Sequence, residues 1–263
     1  MLPINNTELF YREKGRGEET IVFSHGLLMD HRQWDRQVER FADDYRCIAY
    51  DHRGQGESRP GQGPMVDMET VYLDAVDLIE TFDVGPCHFV GLSMGGFAGI
   101  RLAARRPDLV KSLTLMDTRA GREPVDNVPK YERLNMAARF LGIDKVVERV
   151  MPILFGETFL GEDASRVERD KWTDRIGGRG KSIYKAVNGV IYRPSVESEL
   201  ARIEAPTLVL HGEEDAAIPV DEGRRLAGAI ADARLEIIEE AGHSSSIENP
   251  EAVNEALSRF LGE

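Results

Sequence analysis

The sequence of 263 residues predicts an α/β fold in which a mostly parallel sheet carries helices on both faces. Six short apolar runs, rich in Val, Ile, Leu and Phe, are typical of strands buried on both faces. Segments with helical periodicity separate most of these runs, which indicates a doubly wound sheet. The alternation breaks once, between Arg119 and about Leu200, and this break predicts an inserted helical lobe.

The predicted strands are Thr20–Ser24, Arg46–Tyr50, His88–Val90, Ser112–Met116, Thr207–Leu210 and Leu235–Ile238. Before them, the segment Glu8–Glu13 ends at the turn Gly15-Arg16-Gly17, so we expect a hairpin strand antiparallel to the run that begins at Thr20. The predicted core helices are Met68–Phe82, Phe97–Arg105 and a last helix opening at Asn249-Pro250, an N-cap followed by proline.

The inserted lobe shows only helical stretches, at Tyr131–Leu141, Lys145–Leu154, Ala164–Ile176 and Lys181–Ile191. A structureless loop of that length would be rare in a compact domain. We therefore expect a core of residues 1–118 and 201–263, with residues 119–200 as a helical cap, or lid, over the carboxyl edge of the sheet.

Charge and composition narrow the expected partners to small molecules. The chain has 33 Lys and Arg against 46 Asp and Glu, a net charge of −13, which disfavours nucleic acid and anionic membranes. The longest stretch without charged residues, Val84–Ile100, is too short and too rich in glycine to span a membrane. With no visible secretory signal at the start and with Cys47 and Cys87 in apolar segments, we expect a cytoplasmic protein. The oligomeric state is left open.

A candidate nucleophile lies in Gly91-Leu92-Ser93-Met94-Gly95, between a predicted strand and a predicted helix. This G-x-S-x-G arrangement places a serine on a turn so tight that only glycine lets the flanking backbones approach. The turn presents the hydroxyl at the end of the sheet. Close packing of the helix on the strand is the alternative explanation of the glycines, and we favour Ser93 as the nucleophile.

A nucleophilic serine needs a base and an orienting acid, which follow it in the order Ser, acid, His on this type of sheet. Of six histidines, His243 alone follows the acids behind the strand Thr207–Leu210, so it is the predicted base. Asp215 is the predicted acid, which fixes the imidazole tautomer and stabilises the imidazolium. Glu213 and Glu214 are its local competitors, and Asp117 is a less favoured substitute.

Two backbone amides are expected to form an oxyanion hole. One belongs to Met94, directly after the nucleophile, and the other to Leu27 in the turn after Thr20–Ser24. No metal is predicted, since H-E-x-x-H is absent, and no cofactor, since neither G-x-G-x-x-G after a strand nor G-x-x-x-x-G-K-[ST] occurs.

Together with this serine motif, the segment Asp51–Ser58 resembles the D-x-R-G-x-G-x-S loop of the α/β-hydrolase superfamily, and His25-Gly26 with Trp34 resembles its oxyanion turn. The resemblance covers Glu8–Arg119 and Ile203–Leu261. It implies the α/β-hydrolase fold, with a mostly parallel eight-stranded sheet, helices on both faces and an inserted helical cap.

Within that superfamily, the chain is most similar to 3-oxoadipate enol-lactonase-like serine hydrolases. The similarity lies in Gly91–Gly96, Arg105–Asp108, Met116–Thr118 and His243–Glu248. That group usually has Asn-Ser where this chain has His25-Gly26, and an Arg-Trp pair in the cap where it has Ile153-Leu154-Phe155. The apolar replacement indicates a less charged acyl or lactone substrate. The candidate pocket residues are Leu28, Phe140, Met151, Ile153, Leu154, Phe155 and Trp172.

These observations predict a cofactor-independent serine hydrolase that cleaves carboxylic esters or lactones through an acyl-enzyme. Two other activities use the same residues: perhydrolysis of the non-haem haloperoxidase type, and hydrolysis of a carbon–carbon bond. A hydrolase-fold signalling receptor is the remaining, less favoured alternative.

Overall fold

The computed structural model describes residues 1–262, which form two sheets and a set of surrounding helices. The strands are β1 (Leu2–Ile4), β2 (Thr7–Leu9), β3 (Tyr11–Lys14), β4 (Thr20–Ser24), β5 (Arg46–Tyr50), β6 (Cys87–Leu92), β7 (Val110–Met116), β8 (Thr207–Gly212) and β9 (Ala233–Ile238). The α-helices are α1 (Asp35–Phe41), α2 (Met68–Phe82), α3 (Met94–Arg105), α4 (Val128–Leu141), α5 (Val147–Leu154), α6 (Glu157–Gly161), α7 (Arg166–Gly177), α8 (Tyr184–Ile191), α9 (Val220–Ala229), α10 (Ser245–Glu248) and α11 (Pro250–Leu261).

The main sheet has seven strands in the order β3-β5-β4-β6-β7-β8-β9, and β3 alone runs antiparallel to its neighbour. The expected count of eight strands is wrong, because β1 and β2 pair only with each other, in a separate two-stranded sheet. All five residues of β4 and all six of β6 are buried, which explains why their sequences are continuous apolar runs.

The first strand of the main sheet does not pair as the sequence predicts. We expected a hairpin between Glu8–Glu13 and the run from Thr20, but β3 pairs with β5, with Tyr11 opposite Tyr50. Both edges of β4 are already hydrogen-bonded, to β5 and to β6, so no edge remains for β3. The exposed side chains of β3 fit its position at the edge of the sheet.

Helix α2 illustrates how the sequence pattern produces the core. Its residues Val71, Ala75, Leu78 and Ile79 recur at helical spacing and are fully buried on the sheet. The side chain of Asp67 accepts a hydrogen bond from the amide of Thr70 and caps the helix at its N-terminus. The predicted bounds Met68–Phe82 are those observed, whereas α1 and α9 were not predicted.

Helices α4–α8, which we call the inserted helices, lie between the end of β7 and the start of β8. Within the described residues this part of the chain contains no strand. One apolar cluster joins side chains of these helices, such as Val150 and Leu154, to Met94 and Phe97 on α3. The inserted helices therefore pack against the end of the sheet where α3 begins.

None of the helices within residues 1–262 combines the length and the apolar character that crossing a bilayer would take.

Candidate active site

Ser93 occupies a strained turn between β6 and α3. Its φ of 52° and ψ of −108° lie outside the regions that non-glycine residues ordinarily adopt. A Cβ atom on Gly91 would lie 2.4 Å from the carbonyl oxygen of Gly95, and one on Gly95 would lie 2.1 Å from the carbonyl oxygen of Ser24. The turn therefore requires glycine on both sides of the serine.

The structure brings together Ser93, His243 and Asp215, the three residues predicted to act together. His243 follows β9 and Asp215 follows β8, so both lie at the carboxyl edge of the sheet beside the turn that carries Ser93. The Nε2 atom of His243 is 2.9 Å from Ser93 Oγ, and its Nδ1 atom is 2.8 Å from Asp215 Oδ2. These distances allow a proton to pass from the serine to the imidazole.

The carboxylate of Asp215 is held by the backbone of its own loop. Its Oδ1 atom accepts hydrogen bonds from the amides of Ala217 and Ile218, each at 2.8 Å. Its Oδ2 atom faces His243 Nδ1 at 2.8 Å and lies 3.4 Å from His211 Nε2. Burial tends to raise the pKa of Asp215, but His243 and His211 lower it well below its ordinary value. The carboxyl is therefore ionised at neutral pH.

The pKa of His243 is shifted in the opposite direction to that of Asp215. Burial alone would lower its pKa, but the charge of Asp215 and the hydrogen bond to it raise the pKa above the ordinary value of 6.5. Asp117 and Glu248 add smaller effects of the same sign. The protonated imidazole is thus stabilised in the buried site, as a base that takes up a proton requires.

Asp117, the less favoured candidate for the acid, has other partners. Its Oδ1 atom accepts the amide of Gly212 at 2.7 Å, and its Oδ2 atom accepts the hydroxyl of Ser245 at 2.5 Å. Burial raises the pKa of Asp117 to about 6. This carboxyl joins the segment before Asp215 to the segment after His243, a role that the sequence analysis did not predict.

Two groups of acidic and histidine side chains have the donor types of a metal site: Asp117 with His211 and Asp215, and Asp30 with His31 and Asp51. The carboxylates of both groups already accept hydrogen bonds from the protein. His211 likewise lies 2.8 Å from the carbonyl oxygen of Ile218. The geometry is that of two hydrogen-bond networks, and the expectation that no metal is needed stays a prediction.

The amides of Leu27 and Met94, the predicted oxyanion hole, lie in two adjacent turns. Neither amide donates a hydrogen bond to another group of residues 1–262. Gln55 ties the two turns together, because its Oε1 atom accepts the amide of Leu28 at 2.7 Å and its Nε2 atom lies 3.4 Å from Met94 Sδ. Gln33 accepts the amide of Gly26 at 2.9 Å. Gln55 belongs to the segment Asp51–Ser58, whose pattern predicted no such role for it.

Glu248 fixes the loop that carries His243. Its carboxylate accepts hydrogen bonds from the amides of Gly242 and Ser244, which flank His243, and from the amide of Gly156 in the turn between α5 and α6. Burial raises the pKa of Glu248 to about 7 despite these donors. One side chain thus joins the inserted helices to the backbone on both sides of His243.

A cavity of about 870 Å³, measured with its open mouth, lies between the inserted helices and the edge of the sheet. Ser93 and His243 form part of its wall, and the other lining residues are mostly apolar. Leu27 lines it too, as do three of the seven predicted pocket residues, Leu28, Ile153 and Leu154. A substrate in this cavity would have its reacting group beside Ser93.

The structure places the other four predicted pocket residues elsewhere. Phe140 is 66 % exposed. Ala138, two positions earlier on α4, faces the cavity. Residues two apart in a helix point to nearly opposite sides, so the side chain of Phe140 points away from the cavity. Met151, Phe155 and Trp172 are buried, but in the apolar cluster behind the wall. Phe155, for example, stacks on Phe159 with ring centroids 5.0 Å apart.

The cavity also has four polar lining residues besides Ser93 and His243 that the sequence analysis did not name: Glu123, Tyr131, Asn135 and Arg193. All four lie in the segment between β7 and β8. Their sequence neighbours give no motif, so only the fold reveals that they share a cavity with Ser93.

Residues 19–250 match the family model for the alpha/beta hydrolase fold. A non-heme bromoperoxidase by name, BpoC of Mycobacterium tuberculosis, is 33% identical, with 96% of this chain and 97% of that protein covered. A protein of Pseudomonas syringae named as a carbamate hydrolase, RutD, is 27% identical, with 92% and 93% covered.

Among solved structures, the enol-lactonase from Burkholderia xenovorans superimposes with a TM-score of 0.91. It is 30% identical in sequence, and the match covers 99% of this chain and 98% of that one. The family match spans most of the chain and agrees with the topology of the sheet and with the turn at Ser93. The chain belongs to the α/β-hydrolase family and is a hydrolase.

Proposed function

We propose that this hydrolase cleaves carboxylic esters or lactones through an acyl-enzyme formed on Ser93, without a cofactor. The observation that carries the proposal is the unbroken chain of two hydrogen bonds from Ser93 Oγ through His243 to Asp215. The likeness to the enol-lactonase of Burkholderia xenovorans supports a lactone or ester as substrate.

In the proposed reaction, Ser93 Oγ attacks the carbonyl carbon while His243 Nε2 takes the hydroxyl proton. The negative charge that develops on the carbonyl oxygen is stabilised by the amides of Leu27 and Met94. Asp215 stabilises the imidazolium and keeps the Nδ1 proton of His243 in place. The protonated His243 then gives its proton to the leaving alcohol, which departs and leaves the acyl group on Ser93.

The second half of the reaction repeats these steps with water. His243 takes a proton from water, the resulting hydroxide attacks the acyl carbon, and Ser93 leaves with the proton that His243 returns. In a lactone, the alcohol and acyl group are parts of one molecule, so the product is a single hydroxy acid.

We further propose that residues 119–200 act as a cap that selects the substrate. Support comes from the cavity wall, where Leu134, Val150 and Leu154 of the inserted helices face Ser93 and His243 across the same space. We also propose a small-molecule substrate in the cytoplasm, without nucleic acid or membrane partners. The free, buried cysteines Cys47 and Cys87 fit a reducing compartment.

Replacement of the serine tests the proposal. Ser93→Ala is expected to reduce the turnover of p-nitrophenyl butyrate by several orders of magnitude, because it removes the nucleophile and keeps the rest of the cavity. Its melting temperature is expected to stay near that of the parent chain. Ser182→Ala, at an exposed position, is the matched control and should keep full turnover. Turnover retained by Ser93→Ala would refute the role of Ser93.

A second candidate activity is perhydrolysis, which the 33% identity to the BpoC protein favours. Here hydrogen peroxide replaces water as the attacking group, and the acyl-enzyme yields a peracid and free Ser93. Bromination of monobromodimedone with acetate, peroxide and bromide measures it. A rate far above that of ester hydrolysis would make perhydrolysis the main activity.

Carbamate and carbon–carbon bond hydrolysis would use the same three residues. The similarity to the RutD protein favours the first of these. A substrate series of an ester, a lactone, a carbamate and a vinylogous diketone, compared by kcat/KM, separates the possibilities. We expect the ester or the lactone to rank first.

A further inference from the structure

Arg179, in the segment between α7 and α8, reaches down to residues 25–30, which follow β4 and which we call the β4 turn. Its Nε atom donates to the carbonyl oxygen of Leu28 at 3.0 Å, and its Nη2 atom donates to Asp30 Oδ2 at 2.8 Å. The two side chains of this ion pair are 11% and 1% exposed. Burial works to raise the pKa of Asp30, but the charge of Arg179 lowers it to about 2. One planar guanidinium thus holds two neighbouring groups of the β4 turn.

The backbone of the β4 turn is strained at Leu28. The amide of Met29 donates to the carbonyl oxygen of Gly26 at 3.2 Å and closes a β-turn, of which Leu28 is the third residue. The φ of Leu28 is 70°, a value that favours glycine or asparagine. A bulky residue keeps such a conformation only where its surroundings hold it. Gln55 accepts the amide of Leu28 at 2.7 Å and Arg179 donates to its carbonyl oxygen, so both backbone groups of the strained residue are fixed.

The same hydrogen bonds connect Arg179 to the amide of Leu27 through two peptide groups. The carbonyl of Leu28 and the amide of Met29 belong to one planar peptide group, and the carbonyl of Gly26 and the amide of Leu27 belong to another. Arg179 donates to the first group, and the first group donates to the second. Each hydrogen bond in such a chain polarises the next, so a cation at one end makes the amide at the other end a stronger donor.

The peptide group that ends this chain lies beside the proposed nucleophile. A Cβ atom on Gly26 would lie 3.6 Å from Ser93 Cβ, and Leu27 lines the cavity together with Ser93. The carbonyl oxygen of Gly26 has a second donor, because His25 Nδ1 is 2.7 Å away while His25 Nε2 accepts the amide of His52. The two donors together fix the plane of this peptide group. The direction of the Leu27 amide is therefore set before a substrate binds, as stabilisation of an oxyanion requires.

Other hydrogen bonds between the inserted helices and the core lie beside the acid and the base. Thr158 on α6 donates to Glu214, next to Asp215, through its amide at 2.9 Å and its hydroxyl at 2.5 Å. Thr158 does not line the cavity. It therefore provides a control for the loss of a contact between the inserted helices and the core that leaves the β4 turn untouched.

We propose that Arg179 is a positioning residue for oxyanion stabilisation, which holds and polarises the two peptide groups that present the Leu27 amide. The inference rests on the proposed function, because it takes Ser93 as the nucleophile and Leu27 as a donor to the oxyanion. It gives the inserted segment a part in the rate of the reaction, in addition to the choice of substrate.

Replacement of the arginine tests the inference. Arg179→Met keeps a side chain of similar length but has no hydrogen-bond donor. We expect kcat/KM for p-nitrophenyl butyrate to fall by about tenfold or more, which is less than the loss of about 10²–10³-fold that follows removal of an oxyanion donor itself. Thr158→Val, the control, loses the hydroxyl bond to Glu214 and should keep the parent kcat/KM.

Two ketones separate oxyanion stabilisation from packing. Ser93 Oγ adds to the carbonyl carbon of pentyl trifluoromethyl ketone, His243 takes the proton, and the adduct carries an oxyanion. Pentyl methyl ketone occupies the apolar cavity without this addition. In Arg179→Met the inhibition constant of the trifluoromethyl ketone is expected to rise by the factor by which kcat/KM falls, and that of the methyl ketone to stay within about twofold. A loss of packing alone would weaken both ketones.

A second pair of variants serves if Arg179→Met does not fold, because that variant leaves Asp30 with only Arg32 as a cation. Asp30→Asn is compared with the double substitution Asp30→Asn and Arg179→Met, and neither contains a buried carboxylate without its partner. Asp30→Asn keeps an oxygen for the amide of Arg32 and keeps the bond from Arg179 to Leu28. The same fall in kcat/KM is expected between the two members of the pair.

Three outcomes would overturn the inference: loss of the Arg179 donor leaves kcat/KM unchanged, both ketones weaken equally, or Thr158→Val has the effect of Arg179→Met. Failure of the proposed function looks different. The parent chain would then hydrolyse no ester and would bind the two ketones alike.

Discussion

The Nε2 atom of His243 lies 2.9 Å from the Oγ atom of Ser93, although 150 residues separate the two along the chain. The contact makes the proposed reaction depend on pH, because only the neutral imidazole can take up the serine proton. Burial works to lower the pKa of His243, and the Asp215 carboxylate raises it above 6.5 on balance. A raised pKa means that the base stays protonated, and inactive, up to a higher pH.

We therefore expect kcat/KM for p-nitrophenyl butyrate to fall as the pH falls through a value above 6.5 and to level off at higher pH. A pH profile between 5 and 9 measures the midpoint, and circular dichroism at each pH shows that the chain stays folded. A midpoint below 6.5, or no decline on the acidic side, would contradict the proposed role of the His243–Asp215 pair.

Asp215→Asn tests the orienting acid. The new amide keeps an oxygen for the amides of Ala217 and Ile218 but presents an NH₂ group to His243, which reverses the imidazole tautomer. We expect kcat to drop by about 10⁴-fold, with little change in the melting temperature. Glu213→Gln, at an exposed position two residues earlier, is the control and should keep the parent kcat. If the two variants lose activity equally, Asp215 is not the acid.

Gly95→Ala tests the close approach of α3 to the sheet. The added Cβ atom would lie 2.1 Å from the carbonyl oxygen of Ser24, so backbone must move to admit it. We expect a loss of at least about 2 kcal/mol in the free energy of unfolding, measured in urea, together with loss of activity. The control is Gly228→Ala on α9, where an added Cβ atom would meet nothing within 4 Å beyond its own helix backbone, and a gain of about 0.5–1 kcal/mol is expected. Equal stabilities of the two variants would show that the turn tolerates a side chain.

The sequence predicted an element correctly where a single requirement, such as burial of both faces of a strand or of one face of a helix, determines the residue pattern. Strands such as Thr20–Ser24 are buried on both faces and so read as continuous apolar runs, and α2 carries its apolar residues at helical spacing. The positions of Ser93, Asp215 and His243 followed from chain order and from the tight turn, and the structure brings the three side chains within hydrogen-bond distance. Their catalytic role stays a prediction.

The predictions failed where pairing depends on distant residues. The partner of β3 is decided by which edges of the sheet remain free, and no local pattern records this. Phe140 is a large apolar residue of the inserted helices and was therefore predicted to line the pocket. The side of α4 that faces the cavity is set instead by the packing of α4 against α8, and Phe140 lies on the exposed side. The ion pair of Arg193 and Glu123 joins positions 70 residues apart in a stretch without motifs.

Covalent labelling tests the central claim most directly. A fluorophosphonate reacts with an activated serine, so digestion of the labelled protein and mass spectrometry of the peptides locate the nucleophile. We predict one adduct per chain, on Ser93, which forms in the parent chain and is absent from Ser93→Ala. An adduct on another residue, or labelling that persists in Ser93→Ala, would contradict the assignment of Ser93 as the nucleophile.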